Sequence, residues 1–230
     1  MNVIEILSWN ILHGGGTRLQ KILEAIAVID ADIIALCEFR PTTATLNHLA
    51  NLGYVNQYLA QTPSTKNTVV IFSKILGQVN FHETADANFP YSIISTEFEA
   101  FELYSIYLPH KKKHFLLDYL IDRCSNQTKP IILTGDFNTG INGVDQKGQS
   151  FMYESSFKKL LTLEMGDAFR HLHLDKRVYS WYSPKGNGFR YDHTLMSTDL
   201  LPLVKSFEYI ELLRANKLSD HAPMHFTLQW

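Results

Sequence analysis

Apolar and polar positions alternate from the start of the chain. In "MNVIEILSWN", Val3, Glu5, Leu7 and Trp9 fall on one side and Ile4, Ile6 and Ser8 on the other. That period of two predicts a β-strand over Val3–Trp9. Short runs rich in Ile, Val, Tyr and Phe predict further strands at Ile33–Leu36, Val69–Ser73, Ser92–Phe98, Glu102–Tyr107, Ile131–Thr134, Asp192–Met196, Phe207–Leu213 and Met224–Leu228. Helical spacing falls between some of them: Leu19, Ile22, Leu23, Ile26 and Ile29 in one stretch, Phe115, Leu116, Leu120 and Cys124 in another, and "ESSFKKLLTLE" as a third. Several strands follow one another with no helix between. That order favours two packed sheets with helices on their outer faces over a regular βαβ winding. No repeat, low-complexity segment or linker interrupts 1–230, which is expected to form one domain. The turn-rich window "NTGINGVDQKGQS" reads as a surface loop within it.

Composition changes this picture little. Hydrophobic residues make up 45% and charged residues 19% of 230, enough apolar material for a substantial core. The formal net charge of -2 excludes the strongly basic footprint of a tight nucleic-acid binder and leaves any such affinity local. Cys37 and Cys124 sit in or beside apolar stretches and read as buried thiols of a reducing compartment. The N-terminus lacks the pattern of a signal peptide, and no apolar run approaches bilayer length. A cytoplasmic protein with no membrane partner is expected.

Chemistry concentrates where strands end. "PIILTGDFNTG" closes an apolar run on Asp136 and Asn138, and loops at strand ends are where rigid scaffolds place reactive groups. Four more stretches share this grammar: "LSWNILHGG" with Asn10, "IIALCEFR" with Glu38, "FRYDHTLMS" with Asp192, and "KLSDHAPM" with Asp220 and His221. Each admits a plain structural reading. Asp136 and Asn138 suit an Asx turn, Asn10 a turn cap, Glu38 a pair with Arg40, Asp192 a pair with Arg190, and Asp220 a turn before Pro223. Five such exits in one chain, rich in the hard oxygen donors that Mg²⁺ prefers, favour a shared site.

Together these motifs resemble the endonuclease/exonuclease/phosphatase family of metal-dependent phosphodiesterases, in family order from Asn10 to His221. "GDFN" and the C-terminal "SDH" are the most specific signatures. The resemblance implies a four-layer α/β sandwich, with two packed mixed β-sheets flanked by helices in the manner of DNase I. It implies Glu38 as the principal ligand of Mg²⁺ (or Mn²⁺), assisted by Asn10. Asp136 would orient or deprotonate the attacking water, and Asn138 would hold a phosphate oxygen. Asp220 would orient His221 at the scissile phosphate. Asp192 matches the family aspartate that buttresses a histidine or the metal shell, and Tyr107 the tyrosine near the phosphate.

The stretch "SWYSPKGNGFRYDH" is most similar to the exonuclease III branch. It implies a DNA substrate and an aromatic-lined pocket of Trp181, Phe189 and Tyr191 beside Arg190, the alternative being that these aromatics are core. His110 is a further substrate-binding candidate, standing where that branch usually has an amide and more like DNase I or the phosphatases. Three departures, Leu12, His110 and His193, detach abasic-site specificity from the resemblance. A phosphatase or lipid phosphodiesterase is the rival within the family, and a catalytically silent binding module the rival outside it. No protein partner is implied, and a monomer is expected. "HKKKH" at 110–114 could bind phosphate but reads first as a solvated face. "HGGGTR" lacks the spacing of a P-loop or dinucleotide site and reads as a turn into a helix, and His171 and His173 read as surface residues.

Overall fold

The structure is a computed structural model, which describes residues 3–59, 62–63, 65–82 and 89–230. In chain order the elements begin with β1 (Val3–Asn10), α1 (Leu19–Ile29), β2 (Ile33–Phe39), α2 (Thr43–Asn51), β3 (Asn56–Leu59), β4 (Thr68–Ser73) and β5 (Gln78–Phe81). β6 (Ile93–Glu97), β7 (Glu102–Tyr107), α3 (His114–Ser125), β8 (Ile131–Asp136), α4 (Glu154–Leu161), β9 (Met165–Asp167) and α5 (Ala168–Leu172) follow. The chain closes with β10 (Trp181–Tyr182), β11 (Gly188–Phe189), β12 (Asp192–Ser197), β13 (Val204–Tyr209), α6 (Glu211–Ala215) and β14 (Met224–Gln229).

Two six-stranded sheets form, ordered β13-β14-β1-β2-β4-β3 and β5-β6-β7-β8-β12-β9. Alternate residues of one strand serve different layers, as a period of two requires. Ile6, Ile33 and Ile132 enter the apolar interior between the sheets. Leu7 and Ile34 face outward onto α1, where Ile22, Leu23 and Ile26 cover them. Leu133 faces outward onto α3 and α4, against Leu116, Leu120 and Phe157. The four layers expected from the motifs are therefore present.

The pairing pattern positions the site. In the first sheet β1 runs parallel to β2, and both flanking pairs, β14–β1 and β2–β4, are antiparallel. The second sheet repeats this with β8 parallel to β7 between antiparallel β12 and β6. Parallel neighbours end at the same edge, and antiparallel neighbours begin there. Hence Asn10 and Glu38 of the first sheet, and Asp136, Tyr107 and Asp192 of the second, reach one rim of the sandwich.

Several elements differ from expectation. The strand predicted over Phe207–Leu213 runs instead from Val204 to Tyr209, and residues 211–215 are helical. Leu212, counted there as apolar strand, is an exposed helix residue. The "NTGINGVDQKGQS" window is not simply a surface loop: Thr139 and Asp145 are fully buried. His173 is half-buried with its Nε2 2.9 Å from the Phe207 carbonyl, whereas His171 is exposed. Cys37 and Cys124 are buried free thiols. Among the described residues no helix is long and apolar enough to cross a membrane.

Candidate active site

The rim residues owe their directions to local backbone irregularities. Glu38 sits where β2 bulges: Leu36 opposes Val70, but Phe39 opposes Thr68, so two residues of β2 face one of β4. A bulge re-aims a side chain, and Glu38 takes the left-handed conformation there with φ 56°. Asn138 is left-handed as well, at φ 50°. Such conformations cost about 1–3 kcal/mol when surroundings must enforce them, and they cluster at functional sites. Gly135 precedes Asp136 because β7 passes so close that a Cβ would lie 2.1 Å from the Ile106 carbonyl oxygen.

At the centre, Asp136, Asp192 and His221 gather ligand atoms within 4.8 Å of one another, all buried. His221 Nδ1 is 2.7 Å from Asp192 Oδ2, while its Nε2 lies 3.9 Å from Asp136 Oδ2. Burial alone would depress the imidazole, but the Asp192 and Asp136 carboxylates outweigh it and hold His221 protonated, raised to about 10. Burial pushes Asp136 up to about 7, against the pull of His221. The second oxygen of Asp136 accepts from the Asn138 N–H at 2.9 Å, so the Asx turn considered from sequence exists inside the site.

Asn10 ties the two sheets together. Its Nδ2 donates to Glu38 Oε1 at 3.2 Å and Asp136 Oδ2 at 3.0 Å, and its Oδ1 accepts from Leu12 N–H. It stands as a bridge between carboxylates, with one oxygen lone pair left over, rather than as a second oxygen beside Glu38. Glu38 Oε2 accepts from the His13 and Asn67 nitrogens, both at 3.0 Å. Tyr107 lies opposite Asp136 in the parallel register. Burial, then the Asp136 and Glu38 charges, raises its hydroxyl well above the usual range.

Two expectations need correction. Asp220 does not orient His221; it accepts from Trp181 Nε1 at 2.9 Å, and Asp192 holds the imidazole instead. Asp220 stands on a bend ahead of His221, which pairs with Trp181, and its carboxylate is taken up by the Trp181 indole N–H rather than by its neighbour's ring. Arg190 is not available to a substrate. It is 1% exposed, and its guanidinium meets Asp145 Oδ1 at 2.8 Å and Asp167 Oδ2 at 2.6 Å. Pinned below the rim, this pair network anchors the 139–151 loop.

The aromatic residues serve as both wall and core. Phe189 and Tyr191 stack at 5.2 Å and pack with Phe151 and Trp181. Phe189 and Tyr191 also line a narrow cleft of about 50 Å³ with His110 and Asn138. Trp181 backs the cluster without lining that cleft. On the other side of the centre, a cleft of about 320 Å³ is lined by Glu38, Lys66, Asn67, Tyr91 and Tyr107, among others.

Sequence reasoning missed several residues that hold the rest. Lys113 is fully buried, unlike its exposed neighbours Lys111 and Lys112, and donates to the Phe137 and Asn138 carbonyls at 3.0 and 2.7 Å. Burial lowers its ammonium to about 7. His193 donates to the next carbonyl, Thr139, at 2.9 Å, so three consecutive carbonyls of the loop are clamped by basic side chains. Ser180 Oγ accepts from the backbone N–H groups of Tyr191 and Asp192, and Tyr209 donates to the Asp192 carbonyl. The run "HKKKH" offered a signal for Lys113; the single serine and tyrosine offered none.

A two-sheet sandwich that carries buried carboxylates and a carboxylate-held imidazole on one rim defines a DNase I-like hydrolase of phosphate esters. The chain belongs to the Endonuclease/Exonuclease/phosphatase family, whose profile matches residues 7–221. It is 26% identical over 274 residues to an exodeoxyribonuclease of Streptococcus pneumoniae, with 96% of this chain and 98% of that protein covered. An exodeoxyribonuclease of Bacillus subtilis is 24% identical, covering 98% and 99%. Among solved structures, a 3′ phosphatase from Neisseria bound to a product DNA hairpin superposes with a TM-score of 0.84 at 22% identity, over 99% of this chain and all of that one.

Proposed function

We propose that this protein is a Mg²⁺-dependent nuclease of the exonuclease III-like kind, cleaving phosphodiester bonds in DNA. The observation that carries this reading is the His221 imidazole, fixed by Asp192 at 2.7 Å and facing Asp136 across 3.9 Å. The exodeoxyribonuclease relatives, matched over nearly their full length, support DNA as the substrate.

The residues fit a hard divalent cation. Glu38, Asp136, Asp192 and Asp220 bring four carboxylates to the rim, with His221 and Lys113 as nearby cations, so the site carries surplus negative charge. Glu38 would hold the ion, with Asn10 fixing that carboxylate through its Nδ2. A bound Mg²⁺ would supply charge neutralisation for phosphate oxygens and a lowered pKa for water.

The chain's own groups then divide the work. His221 donates its Nε2 proton toward a non-bridging oxygen of the scissile phosphate, stabilising charge that grows as water adds to phosphorus. Asp136 orients that water and takes its proton, a role suited to a carboxylate poised near neutrality. As the water oxygen bonds to phosphorus, the P–O bond to the leaving strand end breaks, and the departing alkoxide is protonated from solvent. Asn138 uses one amide hydrogen on the Leu108 carbonyl and turns the other to a phosphate oxygen. Tyr107 faces the same phosphate from β7. The aromatic cleft receives the sugar or base beside it. We expect a cytoplasmic monomer formed by one domain over 1–230.

The test is a turnover panel of plasmid DNA, abasic duplex, RNA, inositol phosphates and sphingomyelin. Activity should be lost in excess EDTA and restored by Mg²⁺ or Mn²⁺, with DNA the preferred substrate. Glu38→Gln should raise the metal concentration needed while leaving the thermal melt in place. Full turnover in EDTA, or preference for a small or lipid ester, would overturn the reading.

A further inference from the structure

Beside the two clefts described above, another cleft opens at the rim and has a chemistry of its own. It encloses about 390 Å³ and is lined by Arg18, Arg214 and Lys217 together with Tyr182, Ser219 and Asp220. It adjoins the reaction centre through Asp220, the residue before His221. Three cations, Arg18 from one part of the chain and Arg214 and Lys217 from the end of α6 and the turn after it, converge on it in a protein whose net charge is -2.

Two of these cations are held in place before any ligand arrives. Arg18 donates to the Leu12 carbonyl at 2.7 Å and to the Leu218 carbonyl, tying the loop after Asn10 to the loop before Asp220. Its partners are neutral, so its charge stays uncompensated. Arg214 donates to the Tyr179 carbonyl, pairs with Glu211, and lies 4.4 Å from the centre of the Tyr182 ring. Tyr182 is 43% exposed, a large aromatic face open to solvent beside that guanidinium. Lys217 is exposed, and its side chain has no hydrogen bond or ion pair among the described residues. Its left-handed backbone, φ 59°, is closed by its N–H on the Arg214 carbonyl. Asp220 is the lining carboxylate, and Trp181 already engages it. Preorganised guanidinium groups, a free ammonium and an open aromatic face suit a phosphodiester with its sugar or base alongside.

We propose that this cleft is a second phosphate subsite, which takes the phosphodiester next along a polynucleotide strand from the one being cleaved. This rests on the nuclease reading above. A strand with several phosphodiesters gains a contact that a lone phosphate ester cannot make, so the cleft selects polymer over small ester. Stacking on Tyr182 makes that selection tolerant of sequence.

The experiment uses Lys217→Gln and Lys217→Glu, each checked for an unchanged melt. Binding is read by fluorescence anisotropy of a labelled oligothymidylate in Ca²⁺ buffer, over a range of salt. Lys217→Glu should weaken binding roughly tenfold at low salt, and each lost contact should make the log–log salt slope shallower by about 0.7. The ratio of KM on the oligonucleotide to KM on bis(p-nitrophenyl) phosphate should rise by a similar factor. An unchanged Kd and salt slope in both variants would overturn the proposal. An equal rise in KM on both substrates would overturn it too, since it would place Lys217 at the scissile phosphate. If the wild-type protein cuts no nucleic acid, the nuclease reading fails, while oligonucleotide binding and its salt slope still decide the cleft. A wild type that neither cuts nor binds the strand overturns both.

Discussion

Replacing Asp192 with Asn isolates the pair on which the proposed chemistry turns. The side chain keeps its size, but the charge 2.7 Å from His221 Nδ1 disappears. A hydrogen bond to a charged group is worth about 1.5–3 kcal/mol, and one pKa unit corresponds to about 1.4 kcal/mol. Loss of the upper figure should therefore lower the imidazole by about two units, from about 10 to about 8. Asp136 should fall as well, because the Asp192 charge is one of the causes that raise it. At pH 9 the protonated fraction of His221 would drop from about nine-tenths to about one-tenth.

Two assays read this. The alkaline limb of kcat/KM against pH should move down by about two units, and NMR titration of the His221 ring should move with it. Stability follows the same linkage. Because the folded-state pKa is raised, its contribution is complete below about 6.5 and is lost as pH rises through about 10. The Tm deficit of Asp192→Asn should therefore be largest near pH 6 and should vanish above pH 10. An unmoved ring titration, or a deficit independent of pH, would refute the reasoning.

Other perturbations separate reaction from scaffold. Arg190→Met leaves Asp167 buried without its guanidinium and Asp145 with Arg170 alone, and should cost about 3–5 kcal/mol in chemical denaturation. Because both carboxyls are held below the usual range, the Arg190 contribution is present above about pH 4 and fades as pH falls, so the loss should shrink in acid. A wild-type melt with raised KM would instead make Arg190 a substrate contact. Lys113→Met strands two carbonyls and should lower kcat more than it raises KM, with Lys113→Arg recovering part of it; equal KM and kcat effects in a fully stable variant would count against the clamp. Phe189→Ala should raise KM for DNA more than for a small chromogenic diester, by about 1–3 kcal/mol if the ring stacks on a base. Equal losses in a folded variant would make that ring core alone.

How much of this was legible beforehand differs from residue to residue. The inner strands β1, β2, β4, β7 and β8 were readable because burial on both faces leaves dense runs of Ile, Val and Leu. The edge strands β3 and β5 were not: Asn56 and Gln57 break any alternation in β3, the alternation of Gln78, Val79, Asn80 and Phe81 in β5 spans only four residues, and pairing with β4 and β6 makes them strands. Helix α2 was hidden in "PTTATLNHLAN", where a run of threonines resembles a loop until Thr42 is seen accepting from Thr45 N–H as its cap. The acids Glu38, Asp136, Asp192 and Asp220 stood out as polar stops on apolar runs.

Local pattern, then, determined the layered class, the central strands and the identity of the reactive groups, because hydrophobic period and strand-end polarity are properties of neighbours in the chain. Partnership was decided by the tertiary structure alone. Asp192 rather than Asp220 holds His221 across 29 positions, and Arg190 meets Asp145 across 45. Lys113 is buried while Lys112 is exposed, because the Phe137 and Asn138 carbonyls need a donor from outside their loop. Hydrogen bonds and charges act through space, over a few ångströms. Which groups stand that close is set by how two sheets stack and which strand ends share a rim.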